Sequence, residues 1–305
     1  MAEIWLLCEG NSDLPVLTAV LTRVISAEIS VRATGGSSNS ASAAAYMRQQ
    51  DPSCTVAYIF DRDYCGRVKV EATFTDGKPG FMWRRHAIES YLVMPEVLVE
   101  AFRSIQASLA GMPGGGPAAV RALPLDRDIV SDGLRASALV RAPEEASRVA
   151  TYRLWEDLSD TAGRIQRRNP SIPGGSNPDA TRCRQALLDE AARLVARAEA
   201  TVASPHLSPG AVGQRYDDEL ARLTAADYLR DMTFLEEFHG RDLLGAFCEW
   251  LQREHKATLP RKLLIKELEK AAPSAYKANR LLYGTDDFLD LANGVRALAK
   301  LPPIV

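Results

Sequence analysis

The stretch VAYIFDRDYCG, residues 56–66, runs as strand-forming apolar residues that end in Asp61 and Asp63 on either side of Arg62. Side chains two apart on an extended segment share a side, so both carboxylates are placed to converge on one point. A solvated turn explains a lone Asp-x-Asp as well as a metal site does. The residues around it carry the choice.

Toward the N-terminus, EIWLLC (3–8) is a second short apolar run and stops at Glu9-Gly10. The following DLPVLTAVLTRVI spaces its apolar residues as a helix does. EISVRAT is β-prone, and GGSSNSASAAAYMRQQ begins as a loop and becomes helix-friendly over 41–50. Strands separated by helices of this length predict crossover units and a parallel sheet. Chemistry in such sheets gathers at the carboxyl ends of the strands, where Glu9, Asp61 and Asp63 stand.

Toward the C-terminus, RVKVEATF (67–74) alternates like a half-exposed strand, DGKPG (76–80) is a turn, and FMWRR (81–85) reads as a further strand followed by Glu89. His86, three residues before Glu89, shares its face on a helical reading. Met94-Pro95-Glu96 marks a helix start. Residues 96–230 read as helical, broken by the connectors GMPGGGP and NPSIPGGSNPD. TFLEEFHGRDLLGAFCEWLQREH and RKLLIKELEKAA then read as a short strand and amphipathic helices. The expected fold is α/β: a mainly parallel sheet flanked by helices, built from 1–98 and 230–255, with a helical insertion at 99–229 and C-terminal helices at 256–305.

At 305 residues, 46% hydrophobic and 25% charged, the chain has the composition of a soluble globular protein. A formal net charge of −2 excludes a globally basic nucleic-acid binder but not a local basic patch. Cys8, Cys54, Cys65, Cys183 and Cys248 are scattered and never spaced Cys-x-x-Cys, which argues against a disulfide framework or zinc cage. With no basic leader and no run of roughly 18 apolar residues, the expected compartment is the cytoplasm, with no membrane partner.

Five acids, Glu9, Asp13, Asp61, Asp63 and Glu89, fall at strand ends or just beyond them. In a low-dielectric cleft they repel one another unless a cation lies among them. An all-oxygen set suits Mg²⁺ or Mn²⁺ rather than zinc. Asp13 is equally a good helix N-cap. Arg62, Arg84, Arg85 and Arg241 are candidates for holding nucleic-acid phosphates, although Arg84 and Arg85 read equally well as a surface charge pair. Tyr64 and Tyr91 are indistinguishable from core aromatics. The arginines at 164–197 form a broken basic face. No Gly-x-x-x-x-Gly-Lys-Ser/Thr loop occurs.

LCEGNSD (7–13), IFDRD (59–63), WRRHAIESYLVMPEVL (83–98) and GRDLL (240–244) together resemble the Toprim domain of the OLD-family (overcoming lysogenization defect) nucleases. The likeness extends over roughly 3–98 and 230–255. It is closest to stand-alone relatives that partner a separate ABC-type ATPase in anti-phage systems such as PARIS. The resemblance implies a metal-dependent endonuclease acting on DNA or RNA, tRNA included, as a toxic effector released to homodimerise. It makes Glu9 the catalytic glutamate, Asp61 and Asp63 the metal-binding pair, and Asp13 and Glu89 the completion of a two-cation site. Arg241 stands where the family pattern has lysine, and an arginine cannot lose a proton to act as a base. A catalytically silent Toprim-fold subunit that binds nucleic acid or an ATPase is the alternative.

Overall fold

The computed structural model describes residues 4–11, 13–24, 29–63, 80–110, 120, 122–123, 126–162, 179–197, 208–279 and 286–303. Strand β1 (Ile4–Cys8), helix α1 (Asp13–Val24), β2 (Ile29–Ala33), α2 (Ser37–Gln50) and β3 (Thr55–Phe60) alternate as the apolar periodicity predicts. With β4 (Gly80–Met82) the described residues form a four-stranded sheet of order β2-β1-β3-β4. All three pairings are parallel, with Ile4 opposite Ile29 and Thr55, and Tyr58 opposite Gly80. The strand expected over 67–74 lies outside the described residues.

Both sheet faces are covered, which is why β1 and β3 read as continuous apolar runs. On one face Ile4, Leu6, Cys8, Ala57 and Ile59 meet Val16, Leu17 and Leu21 of α1 in the main core. On the other, Leu7 and Val56 pack with Ala44 and Cys54, and Trp5, Met47 and Tyr58 close around them. The alternation of the strand assigns successive side chains to the two layers.

Among the described residues the remaining helices are α3 (Glu89–Leu92), α4 (Pro95–Ala110), α5 (Arg127–Ala162), α6 (Ala180–Arg197), α7 (Pro209–Leu223), α8 (Ala226–Arg230), α9 (Phe234–Glu237), α10 (Gly240–His255), α11 (Arg261–Asn279) and α12 (Asp286–Leu298). At about 1.5 Å per residue, the 36-residue α5 is about 54 Å long. Val130, Leu134, Ala138, Ala142, Ala146, Ala150 and Leu154 recur every fourth residue along it, all fully buried. Four alanines on that stripe let neighbouring helices approach closely, and α6, α7 and α10 pack there.

Two expectations change. TFLEEF is a turn and the short helix α9, not a strand returning to the sheet. Phe234, Leu235 and Phe238 are buried at helical spacing, and the rings of Phe234 and Phe238 meet edge-on at 6.0 Å. Second, the expected edges of the insertion fall within helices, 98/99 inside α4 and 229/230 inside α8. One buried cluster runs from the sheet through α4, α5, α10 and α11 without a break.

Candidate active site

The carboxyl end of β1 delivers Glu9 between two neighbouring strands. Its carbonyl accepts the N–H groups of Gly35 and Gly36 at 3.0 and 3.1 Å, and its Oε1 accepts the Asp61 N–H at 3.2 Å. Gly35 and Gly36 hold φ of +75° and +127°, backbone that favours glycine. Asp13, buried in the first turn of α1, reaches back so that its Oδ2 accepts the Gly10 N–H at 3.0 Å. That is the reach of a capping-box residue from inside the helix rather than of an N-cap.

Asp61 is the electrostatic centre. Burial, then the charges of Asp13, Glu89, Glu9 and Asp63, push its carboxyl up to about 9. The structure thus brings the other four sequence-predicted acids within electrostatic reach of Asp61. Among the described residues no three Asp, Glu, His or Cys side chains stand as a formed ligand group. Like charges with no cation between them keep apart. The donor set, carboxylate oxygens around an Asp61 that burial and then neighbouring charge push up to about 9, fits a hard divalent ion.

Asp61 and Asp63 do not share a side in the way an extended segment would impose. β3 stops at Phe60, and Asp63 takes a left-handed φ of 50°. Its N–H donates to the His86 carbonyl at 2.9 Å, its Oδ1 lies 3.8 Å from His86 Nε2, and its side chain is 64% exposed. Asp61 turns inward and Asp63 faces the opening.

His86 lies in the bend before α3 rather than on a helix with Glu89, and its N–H donates to the Glu236 carbonyl at 2.9 Å. Burial, then the charges of His239, Arg148 and Arg62, hold its imidazole well below its ordinary range, so it is neutral. Its ring meets His239 edge-on at 5.2 Å. Cys8, beneath the acids, is pushed up to about 12 by burial and then Asp13, and remains a thiol.

Arg241 reaches the acids through a close backbone approach. A Cβ on Gly240 would lie 2.7 Å from Glu89 C and Ser90 N, so only glycine lets α10 begin there. The Arg241 guanidinium then pairs with Glu89 Oε1 and keeps 43% of its side chain exposed. One residue on, Asp242 accepts Arg148 Nη1 at 2.8 Å, tying the start of α10 to α5, where Arg148 also pairs with Glu144 and Glu145.

The other candidate arginines have protein partners. Arg62 is buried and donates through Nη1 to the Arg84 carbonyl. Arg85 donates from Nη1 to Ser90 O at 3.1 Å and lies over the Tyr91 ring at 4.8 Å, and burial lowers its pKa. Arg84 pairs with Asp287 and Asp290 of α12, both at 2.6 Å. Tyr91 donates to Asp287; burial, then Asp287, raises its phenol well above the ordinary value. In α6, Arg184 and Arg193 pair with Asp217 and Glu190, whereas residues 163–178 and Tyr64 lie outside the described residues.

Asp242, Asp287 and Asp290 escaped the sequence reading because their partners lie tens to hundreds of positions away. Only the 287/290 spacing, two acids on one helix face, hinted at a role. No helix among the described residues is long and apolar enough to cross a membrane. Compared with protein-family models and with curated proteins, the chain matches none.

Proposed function

We propose that this chain is a metal-dependent nuclease of the Toprim kind that hydrolyses phosphodiester bonds of DNA or RNA, tRNA included. The observation that carries this reading is the gathering of four carboxylates, Glu9, Asp13, Asp63 and Glu89, within electrostatic reach of the buried Asp61 at the open ends of parallel strands. Glu9, Asp13, Asp61, Asp63 and Glu89 would hold one or two Mg²⁺ or Mn²⁺ ions. A bound divalent cation supplies Lewis acidity toward a phosphate oxygen and makes water a stronger acid.

The chain's own groups supply the rest. Glu9, fixed by the β2–α2 turn and the end of β3, offers a carboxylate as ligand or proton acceptor. The Arg241 guanidinium opposes negative charge developing on the phosphate, drawing Glu89 with it. Arg84 and Arg85 border the opening, with Arg62 beneath them as support for the Arg84 backbone.

In the cell the protein is a cytoplasmic toxic effector of anti-phage defence, held by an ABC-type ATPase in trans and active as a homodimer. The test is incubation of the purified, partner-free chain with plasmid DNA and total tRNA in Mg²⁺, Mn²⁺ or EDTA. Cleavage is expected with either metal and not in EDTA, falling by about 100-fold or more in Glu9→Ala. Cutting that survives in Glu9→Ala would overturn the assignment. A wild-type chain that binds but never cuts would identify a catalytically silent subunit, a reading favoured by the engagement of Glu89 with Arg241.

A further inference from the structure

Arg84 lies beside the candidate site: its carbonyl accepts from Arg62, the residue between the two site aspartates. Its guanidinium spans two carboxylates of α12, with Nη1 on Asp287 Oδ1 and Nη2 on Asp290 Oδ2, both at 2.6 Å. A guanidinium holds two phosphate oxygens with the same two-pronged geometry. The two acids differ in kind. Asp287 is 5% exposed and also accepts the Arg84 N–H at 3.1 Å and the Tyr91 hydroxyl. Phe288 beside it packs at 5.0 Å on Trp83 and 5.1 Å on Tyr91. Asp287 is therefore an anchor of the fold. Asp290, one helical turn on, is 37% exposed and meets Arg84 at the solvent edge, where that side chain is itself 51% exposed.

We propose that Asp290 is a built-in phosphate mimic: it occupies the exposed half of the Arg84 guanidinium, and a nucleic-acid phosphate must displace it to bind there. An ion pair at such an edge is weak in water, and a polyanion that releases counterions on binding competes with it effectively. Helix α12 thereby sets a threshold for nucleic-acid binding at the opening of the site. This inference rests on the nucleic-acid reading above and adds to it a regulatory contact.

The test is fluorescence anisotropy of labelled duplex DNA and tRNA in EDTA, across about 50–200 mM KCl, with wild type, Asp290→Asn, Arg84→Ala and the double variant. Circular dichroism melting confirms that each is folded. Asp290→Asn is expected to bind about two- to five-fold tighter and to steepen the log–log salt slope by about one. In the double variant both gains disappear. Unchanged affinity in Asp290→Asn, an equal gain without Arg84, or no binding by any variant would overturn the proposal. The two readings fail separately: metal-dependent cleavage with an inert Asp290→Asn keeps the nuclease and removes the mimic. Tighter binding through Arg84 with no cleavage does the reverse.

Discussion

Asp61 keeps its proton at neutral pH in the metal-free chain because burial and four neighbouring acids oppose its ionisation. Asparagine at that position needs no proton to be neutral, so it removes the cost of taking one up on folding, and a ligand with it. Asp61→Asn is therefore expected to melt a few degrees above wild type in EDTA and to gain nothing from Mg²⁺. Wild type gains about 2.7 kcal/mol at a Mg²⁺ concentration about 100 times Kd; equal Mg²⁺ shifts in the two proteins would remove Asp61 from the ligand set. The imidazoles make a second residue-scale prediction. Burial holds His86 and His239 neutral, below the ordinary value of 6.5. Once unfolded they protonate below that pH, so the unfolded chain binds more protons there. Their contribution is complete above about pH 6.5 and is lost below it, by up to about 1.4 kcal/mol per pH unit for each ring. Urea unfolding between pH 7.5 and 5.5 reads this slope, and His239→Gln should reduce it; a flat wild-type profile would contradict burial of the pair.

Helix α10 owes its position to one missing Cβ. Gly240→Ala forces the new carbon into the backbone of Glu89 and Ser90, which cannot rotate aside as a side chain would. The expected cost is about 2–3 kcal/mol, measured by urea denaturation, together with loss of the Arg241–Glu89 pair. A neutral substitution would mean that α10 does not dock as closely as described. β1 and β3, as uninterrupted apolar runs, and α1 and α4, with apolar residues at helical spacing, were legible because burial on one or two faces is written into spacing. TFLEEF was not: an apolar run that short satisfies a strand or one helical turn equally well, and packing of Phe234 against Phe238 selects the turn.

At the scale of the whole molecule, one buried cluster among the described residues joins a face of the sheet to α4, α5, α10 and α11, so the insertion and the sheet should unfold together. Arg148, paired with Glu144 and Glu145 on its own helix, reaches across that junction to Asp242 of α10. Arg148→Met removes the bridge to Asp242 and the pairing with the buried Glu145, while Arg141 still pairs with Glu144 and Asp242, at an expected cost of about 3 kcal/mol. Calorimetry should show a single transition, shifted down in the variant; two separate transitions in wild type would make the insertion an independent domain. What the sequence by itself determined was the alternation of strands and helices, the parallel sheet and the carboxylates at its open end. Those follow from local periodicity and from the rule that parallel strands present their carboxyl ends on one edge. Only the tertiary structure decided which charges meet: Arg241 with Glu89, Arg148 with Asp242, Arg84 with Asp287 and Asp290. Ion pairs between residues far apart in the chain leave no local periodic signature. They form only when packing brings α5, α10 and α12 to the edges of the site.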